Sequence, residues 1–205
     1  MGKDMSSVDA PFGFEPYGPV LRQQIYAVNT APTINIYHND LVRAGGAVVS
    51  TPHHGYLMII EDGAVPDGEA AILGSVQAIF DEDMKPVNYI AAAEAGNGTI
   101  AGYVMVADHP SQLFLAQEDG DTNAIDLAEG SMNADIVSVA LCAGDSNTGI
   151  SKQEIDSTSA ATTAALQVKL IAVHPDDTPA DDTNCHARWI CAINEHFYDG
   201  TIAGV

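Results

Sequence analysis

From Val20 onward, short apolar stretches rich in β-branched and aromatic residues are interrupted by Gly, Asp, Asn and Pro. Successive side chains on a strand point to opposite faces, so short runs of this composition bounded by turn formers read as strands. They predict strands at residues 25–29, 34–37, 47–51, 56–61, 72–80, 87–92, 99–107, 112–117, 135–142, 165–174 and 187–198. Gly96-Asn97-Gly98 offers the positive φ of a tight hairpin between 87–92 and 99–107. In Gln167 to Val173 polar residues alternate with Val and Leu before the run turns wholly apolar, as in a strand passing from a sheet edge into a core. Ala-rich segments at 123–129 and 159–166 are long enough for a turn or two of helix, not for a principal element. The expected fold class is mainly β: a single β-sandwich or small β-barrel domain over residues 20–205, preceded by an extended N-terminal arm at 1–19.

The arm follows from Pro11, Pro16, Pro19, Gly2, Gly13 and Gly18, which oppose both helix and central strand around Phe12, Phe14 and Tyr17. Burying the three aromatics is worth about 11–19 kcal/mol at about 25 cal/mol per Å². Fixing 8–20 costs about 20 kcal/mol at about 1.5 kcal/mol per residue. Near balance, the arm is expected to be mobile alone and to order in an apolar groove of a partner. The alternative is that it folds back on its own domain.

Composition narrows the function. The 205 residues carry 7 Lys and Arg against 28 Asp and Glu, a formal charge of −21, yet 46% are apolar. A real core is therefore available, which separates this chain from a disordered acidic tail. The charge repels phosphate backbones, so no nucleic-acid partner is expected. Asp outnumbers Glu, 19 to 9, and Asp favours turns, which places the charge in loops. No apolar run reaches the roughly 18 residues of a membrane span, and none forms an export signal near the start. Three scattered cysteines (Cys142, Cys185, Cys191) make no disulfide framework, and cytoplasmic synthesis is expected.

Chemical motifs fail at decisive positions. Residues 144–151 have phosphate-loop glycine spacing but Ile150 where lysine belongs, so they read as an Asp/Asn-rich turn. Asp119-Gly120-Asp121-Thr122-Asn123 opens like a calcium loop, but Ala124 and Gly130 occupy the glycine and glutamate positions. It and the acidic run 176–182 remain loose cation sites at best. Cys185 and Cys191 share strand parity with Trp189 while His186 opposes them, which argues for buried thiols rather than a metal. His53 and His54 have no dyad partner at a suggestive spacing, and no Gly-x-Ser-x-Gly elbow exists. Neither an enzyme nor a cofactor is expected.

Asp9-Ala10-Pro11-Phe12-Gly13-Phe14-Glu15-Pro16 resembles the opening of the capsid decoration, or cement, proteins of tailed bacteriophages, typically Ala-Pro-Phe-Gly-Phe-Arg-Pro. Tyr103 through Asp108-His109-Pro110 to Phe114 and Gln117 is similar to that family's central strand pair. Thr148-Gly149, Ile155-Asp156-Ser157-Thr158 and Ile193-Asn194-Glu195-His196 follow its C-terminal half in order; residues 45–102 match less well. Glu15 replaces the family's arginine and reverses the arm's charge there. The resemblance implies a non-enzymatic virion protein, made in a bacterial cytoplasm, that sits on the outer capsid surface and clamps neighbouring capsomers. Its partners would be the major capsid protein and itself, as a homotrimer or else a dimer, with Pro11, Phe12, Gly13, Phe14, Pro16 and Tyr17 contacting the shell. The competing expectations are a tail tube or other tail component, and a carbohydrate- or cation-binding virion surface module.

Overall fold

The computed structural model describes residues 8–44, 59–63, 71–98, 100–121, 124–125, 129–137, 144–177 and 185–199, the stretch 59–63 by its backbone alone. The expectations for His53, His54, Cys142 and strand 47–51 lie outside them. The described chain is almost entirely β, as its composition predicts, and its principal strands form two bodies sharing one apolar seam. No helix among the described residues is long and apolar enough to cross a membrane.

The first body is a closed five-stranded barrel in the order β2 (Gln23–Asn29), β5 (Ile59–Gly63), β4 (Leu41–Ala44), β6 (Ile72–Phe80), β8 (Ile100–Ala107). The β2–β5 pair is parallel and the others antiparallel. Tyr26, Val28, Val42, Leu73, Val76, Val104 and Val106 belong to its core. Strand β8 is largely buried on both faces: Val104 and Val106 face that core, while Ile100 and Tyr103 meet Ala27, Ile25 and Phe80 on the other side. Such double burial explains a run with hardly a polar residue. β3 (Ile36–Tyr37) and β7 (Tyr89–Ile90) pair separately, with stacked rings of Tyr37 and Tyr89 5.4 Å apart.

The second body is a sheet in the order β1 (Glu15–Tyr17), β9 (Leu113–Gln117), β12 (Arg188–Ile193), β11 (Val168–Val173), β10 (Asn133–Ala134). Phe14, Phe114, Leu170, Trp189 and Cys191 pack beneath it against Leu41, Ile72 and Ala107 of the barrel strands. After β12 the chain returns to the barrel, where Ile72 N donates to Glu195 O and Phe197 N to Ile72 O, both at 2.9 Å.

Four expectations need correction. Gly96 and Gly98 do take positive φ, but the strands around their turn do not pair: β7 joins β3, and β8 joins β2 and β6. The segment before the turn is bonded instead to 31–35, through Ala31 N to Glu94 O and Ala93 N to Pro32 O. Likewise β8 and β9, the expected central pair, lie in different bodies, and the Asp108-His109-Pro110 turn is the crossover between them. The apolar end of β11 meets the core only in part, through the half-buried Val173. A bulge between Leu170 and Ala172 breaks the alternation, leaving Ile171 exposed. The segment 159–166 holds no α-helix; a single 3-10 turn, Ser157–Ser159, reaches only its first residue.

Candidate functional site

The arm is where sequence and structure diverge most. Its described part, from Val8, is docked on the body, so the expectation of a free arm is replaced by its alternative. Pro16 is accommodated because β1 is an edge strand, where a missing N–H costs no ladder bond. Glu15, Pro16 and Tyr17 face Leu115, Phe114 and Leu113 of β9. Phe14 is fully buried; its N–H donates to Asn39 O (2.9 Å) and its carbonyl accepts from Ser75 Oγ (2.6 Å). Gly13 sits at φ +77°, and a Cβ there would lie 2.5 Å from Asn39 O and 2.6 Å from Ser151 Cβ. Only glycine fits that turn without displacing backbone.

Two buried glutamines at the ends of β9 fasten this segment. Gln117 Oε1 accepts from Ala10 N at 3.0 Å, while its Nε2 donates to Val8 O (2.6 Å) and His186 O (2.8 Å). Gln112 Oε1 accepts from Leu21 N (3.0 Å) and its Nε2 donates to Leu113 O (2.9 Å). The amides act as strand surrogates, supplying a donor and an acceptor where the ladder stops.

Of the six residues expected to meet a shell, Gly13 and Phe14 are buried and offer no surface. Pro11, Phe12 and Pro16 are half-buried, and Tyr17 is exposed, with its ring edge-on to His174. The exposed apolar side chains next along the chain, Val20 and Leu21, were not among the expected contacts. Just beyond them Arg22 stacks over the exposed Tyr198 ring at 4.5 Å. Tyr17, Val20, Leu21 and Tyr198 thus bring apolar surface to the start of the barrel.

A polar knot holds this region. Arg22 Nε and Nη2 form a bidentate pair with Asp108 Oδ1 (2.7 Å) and Oδ2 (2.8 Å). The Tyr26 hydroxyl also donates to Asp108 and lies 3.1 Å from the Tyr198 hydroxyl. The hydrogen bond to Asp108 raises the Arg22 pKa further, and burial followed by the Asp108 and Tyr198 bonds raises that of Tyr26. The guanidinium is fixed as a cation, and the Asp108 carboxylate, wholly buried, is compensated.

The other candidates sort clearly. Residues 144–151 form the expected Asx turn, with Asp145 Oδ1 accepting from Asn147 N at 2.8 Å. Cys185 and Cys191 are buried in the Trp189 core, and burial pushes the Cys191 thiol up to about 12. Asp119 and Asp121 approach Asp156, a residue that spacing alone did not single out. Ser157 Oγ lies 2.7 Å from Asp119 Oδ1 and 3.0 Å from Asp121 Oδ1, and its single proton serves one of these carboxylates at a time. In the 176–182 run, Asp177 is ion-paired with Arg188 at 2.8 Å. A depression of about 410 Å³ opens beside His38, Val87, Asn88, Thr148 and Ile150. No protein-family model, curated protein or solved structure matches the chain.

Proposed function

We propose that the protein is a non-catalytic virion component that binds the outer surface of a tailed-phage head and cements neighbouring capsomers. Its partners in this reading are the major capsid protein and further copies of itself, arranged as a trimer or else a dimer. The observation that carries the proposal is the apolar surface of Tyr17, Val20 and Leu21, which directly follows the segment resembling the decoration-protein opening. Its anchorage makes it a rigid contact: Phe14 is sunk in the core and Gln112 and Gln117 hold the chain on either side. A pre-formed patch loses little conformational entropy on docking, so a modest apolar area suffices for each copy, and several copies add avidity. A charge of −21 also suits an exterior position better than an interior packed with DNA.

The test mixes purified protein with undecorated heads and measures co-sedimentation and the heat resistance of the shells. Wild-type protein is expected to bind and to raise the temperature at which shells rupture. Tyr17→Ser combined with Leu21→Ser is expected to fold but to bind at least tenfold more weakly. Equal binding by the double variant would remove the contact assigned here, and a label found on the tail of intact virions would select a tail component instead. Removing 1–19 is a poor probe, because it takes Phe14 out of the core.

A further inference from the structure

A second feature of the anchored segment is independent of any capsid. Asp9, Glu154 and His186 each bring one ligand atom to within 4.8 Å of the others. Glu154 Oε1 and His186 Nδ1 are sealed from solvent and have no hydrogen-bond partner among the described residues. Unpartnered buried polar atoms are costly and point to something that pairs with them. We propose that Asp9, Glu154 and His186 form a binding site for one borderline divalent cation with the ligand preference of zinc, which pins the N-terminal segment to the body.

The three residues converge because all hang on Gln117. Its side chain binds both neighbours of Asp9, through Val8 O and Ala10 N, and also His186 O. Its backbone carbonyl accepts from Ile155 N at 2.9 Å, which places Glu154 alongside. The imidazole is seated on Gly120, where a Cβ would fall 2.4–2.7 Å from three ring atoms. Local charge is strongly one-sided. Asp9 and Asp119 set negative charge beside Glu154, with Lys152 the opposing cation.

One imidazole with two carboxylates suits zinc, which takes mixed nitrogen and oxygen ligands at about 2.0–2.2 Å, and leaves a position for water. Calcium prefers six to eight oxygens and is disfavoured. Tetrahedral coordination at about 2.1 Å sets ligand atoms about 3.4 Å apart, so no pair of the trio, all within 4.8 Å, need close by more than about 1.4 Å. Asp9 is exposed and free to swing inward. The Asp119, Asp121 and Asp156 group lacks this character, since it brings no imidazole and none of its carboxylate oxygens is both sealed from solvent and unpartnered.

The test is calorimetric titration of chelator-treated full-length protein with zinc chloride and, separately, calcium chloride. One zinc per chain is expected, with calcium at least a hundredfold weaker. Zinc at a hundredfold excess over its Kd should raise the melting midpoint by about 5–10 °C and slow proteolysis within 1–17. Asp9→Asn, at an exposed position that leaves the fold intact, should weaken zinc at least tenfold, and His186→Ala should abolish binding. Glu154→Gln should lower zinc affinity while leaving the metal-free protein at least as stable, because it removes a desolvated carboxyl. Absence of zinc binding, unchanged affinity in Asp9→Asn, or loss caused by Asp121→Asn instead would each overturn the proposal.

Discussion

The barrel and the sheet solve the same problem by different means. Strands β2, β5, β4, β6 and β8 pair in a ring, so the barrel has no free edge, and Tyr26, Val28, Leu73, Val76 and Val104 pack into one apolar cluster there. The sheet has two edges, one of them built from the N-terminal segment, and is bordered by the buried polar residues Gln112, Gln117, Glu118, Gln153 and Gln167. These side chains take up backbone groups that no ladder serves. Gln153 Oε1 accepts from Leu41 N (2.8 Å), Gln167 Oε1 from Ile136 N (2.9 Å), and Glu118 Oε2 from Ile125 N (2.7 Å). Closure spares the barrel any free edge, and it borrows partners at strand ends, at Leu41 N from Gln153 and at Ile72 from the segment after β12, whereas the sheet depends on side-chain amides along its borders and on a segment remote in sequence.

The strongest challenge to this contrast is Phe14→Ala. It removes a fully buried ring from the sheet core and is expected to cost about 3–5 kcal/mol in denaturant unfolding. Trp189, the single tryptophan, lies in that core and reports the sheet directly. Because Leu41, Ile72 and Ala107 are shared with the barrel strands, its fluorescence transition should coincide with the loss of β circular dichroism. Separate transitions would mean that the seam does not couple the two bodies.

Gln117→Ala sharpens the comparison by removing a surrogate rather than a core group. It frees Ala10 N, Val8 O and His186 O and is expected to cost about 1–3 kcal/mol. A loss below about 0.5 kcal/mol would show that the amide clamp is dispensable.

Stability against pH is the next effect. Burial pushes Asp40 and Glu118 up to about 7 and Glu154 up to about 8. A raised carboxyl pKa means that the folded state holds the proton more tightly than the unfolded one, so its contribution is full at low pH and is lost as pH rises through the folded value. Burial also drops His196 to about 4, which works in the opposite direction below about pH 6.5. Between about pH 6.5 and 8 the carboxyls act alone, and the melting midpoint is expected to fall by a few degrees. A flat or rising midpoint across that window would contradict the burial of these carboxyls.

The smallest effect belongs to the exposed edge. Tyr17→Ser should change stability by less than about 0.5 kcal/mol, because the ring is partly solvated and contributes little to the core. A larger loss in the same unfolding assay would mean that this residue belongs to the sheet's interior and is unavailable as a contact.

Much of the barrel was legible because its strands carry dense apolar runs; β6 was expected at 72–80 and found at Ile72–Phe80. β4 was not foreseen, since Leu41–Ala44 is short and holds Arg43 amid turn formers. β1 was hidden for another reason. Pro and Gly around Glu15–Tyr17 predict an arm, and nothing local reveals that Gln112 and Gln117, about a hundred residues away, supply the missing hydrogen bonds. The same holds for the site. The aromatic segment was picked out by composition, but which ring enters the core depends on contacts with Asn39 and Ser75. His186 does lie outside the core cluster that holds the two cysteines, although it and Cys185 precede β12 and so owe this to the loop rather than to strand parity; its neighbours Asp9 and Glu154 come from distant parts of the chain and only folding brings them together.

The central claim is that the segment from Val8 to Tyr17 is a structural part of the sheet. Native-state hydrogen exchange tests it directly, at the amides of Ala10 and Phe14, which donate to Gln117 Oε1 and Asn39 O. The account predicts that Phe14 exchanges as slowly as the core strands β9 and β12, with Ala10 also protected. Exchange of both amides at the rate of an unstructured chain, while β9 and β12 stay protected, would contradict it.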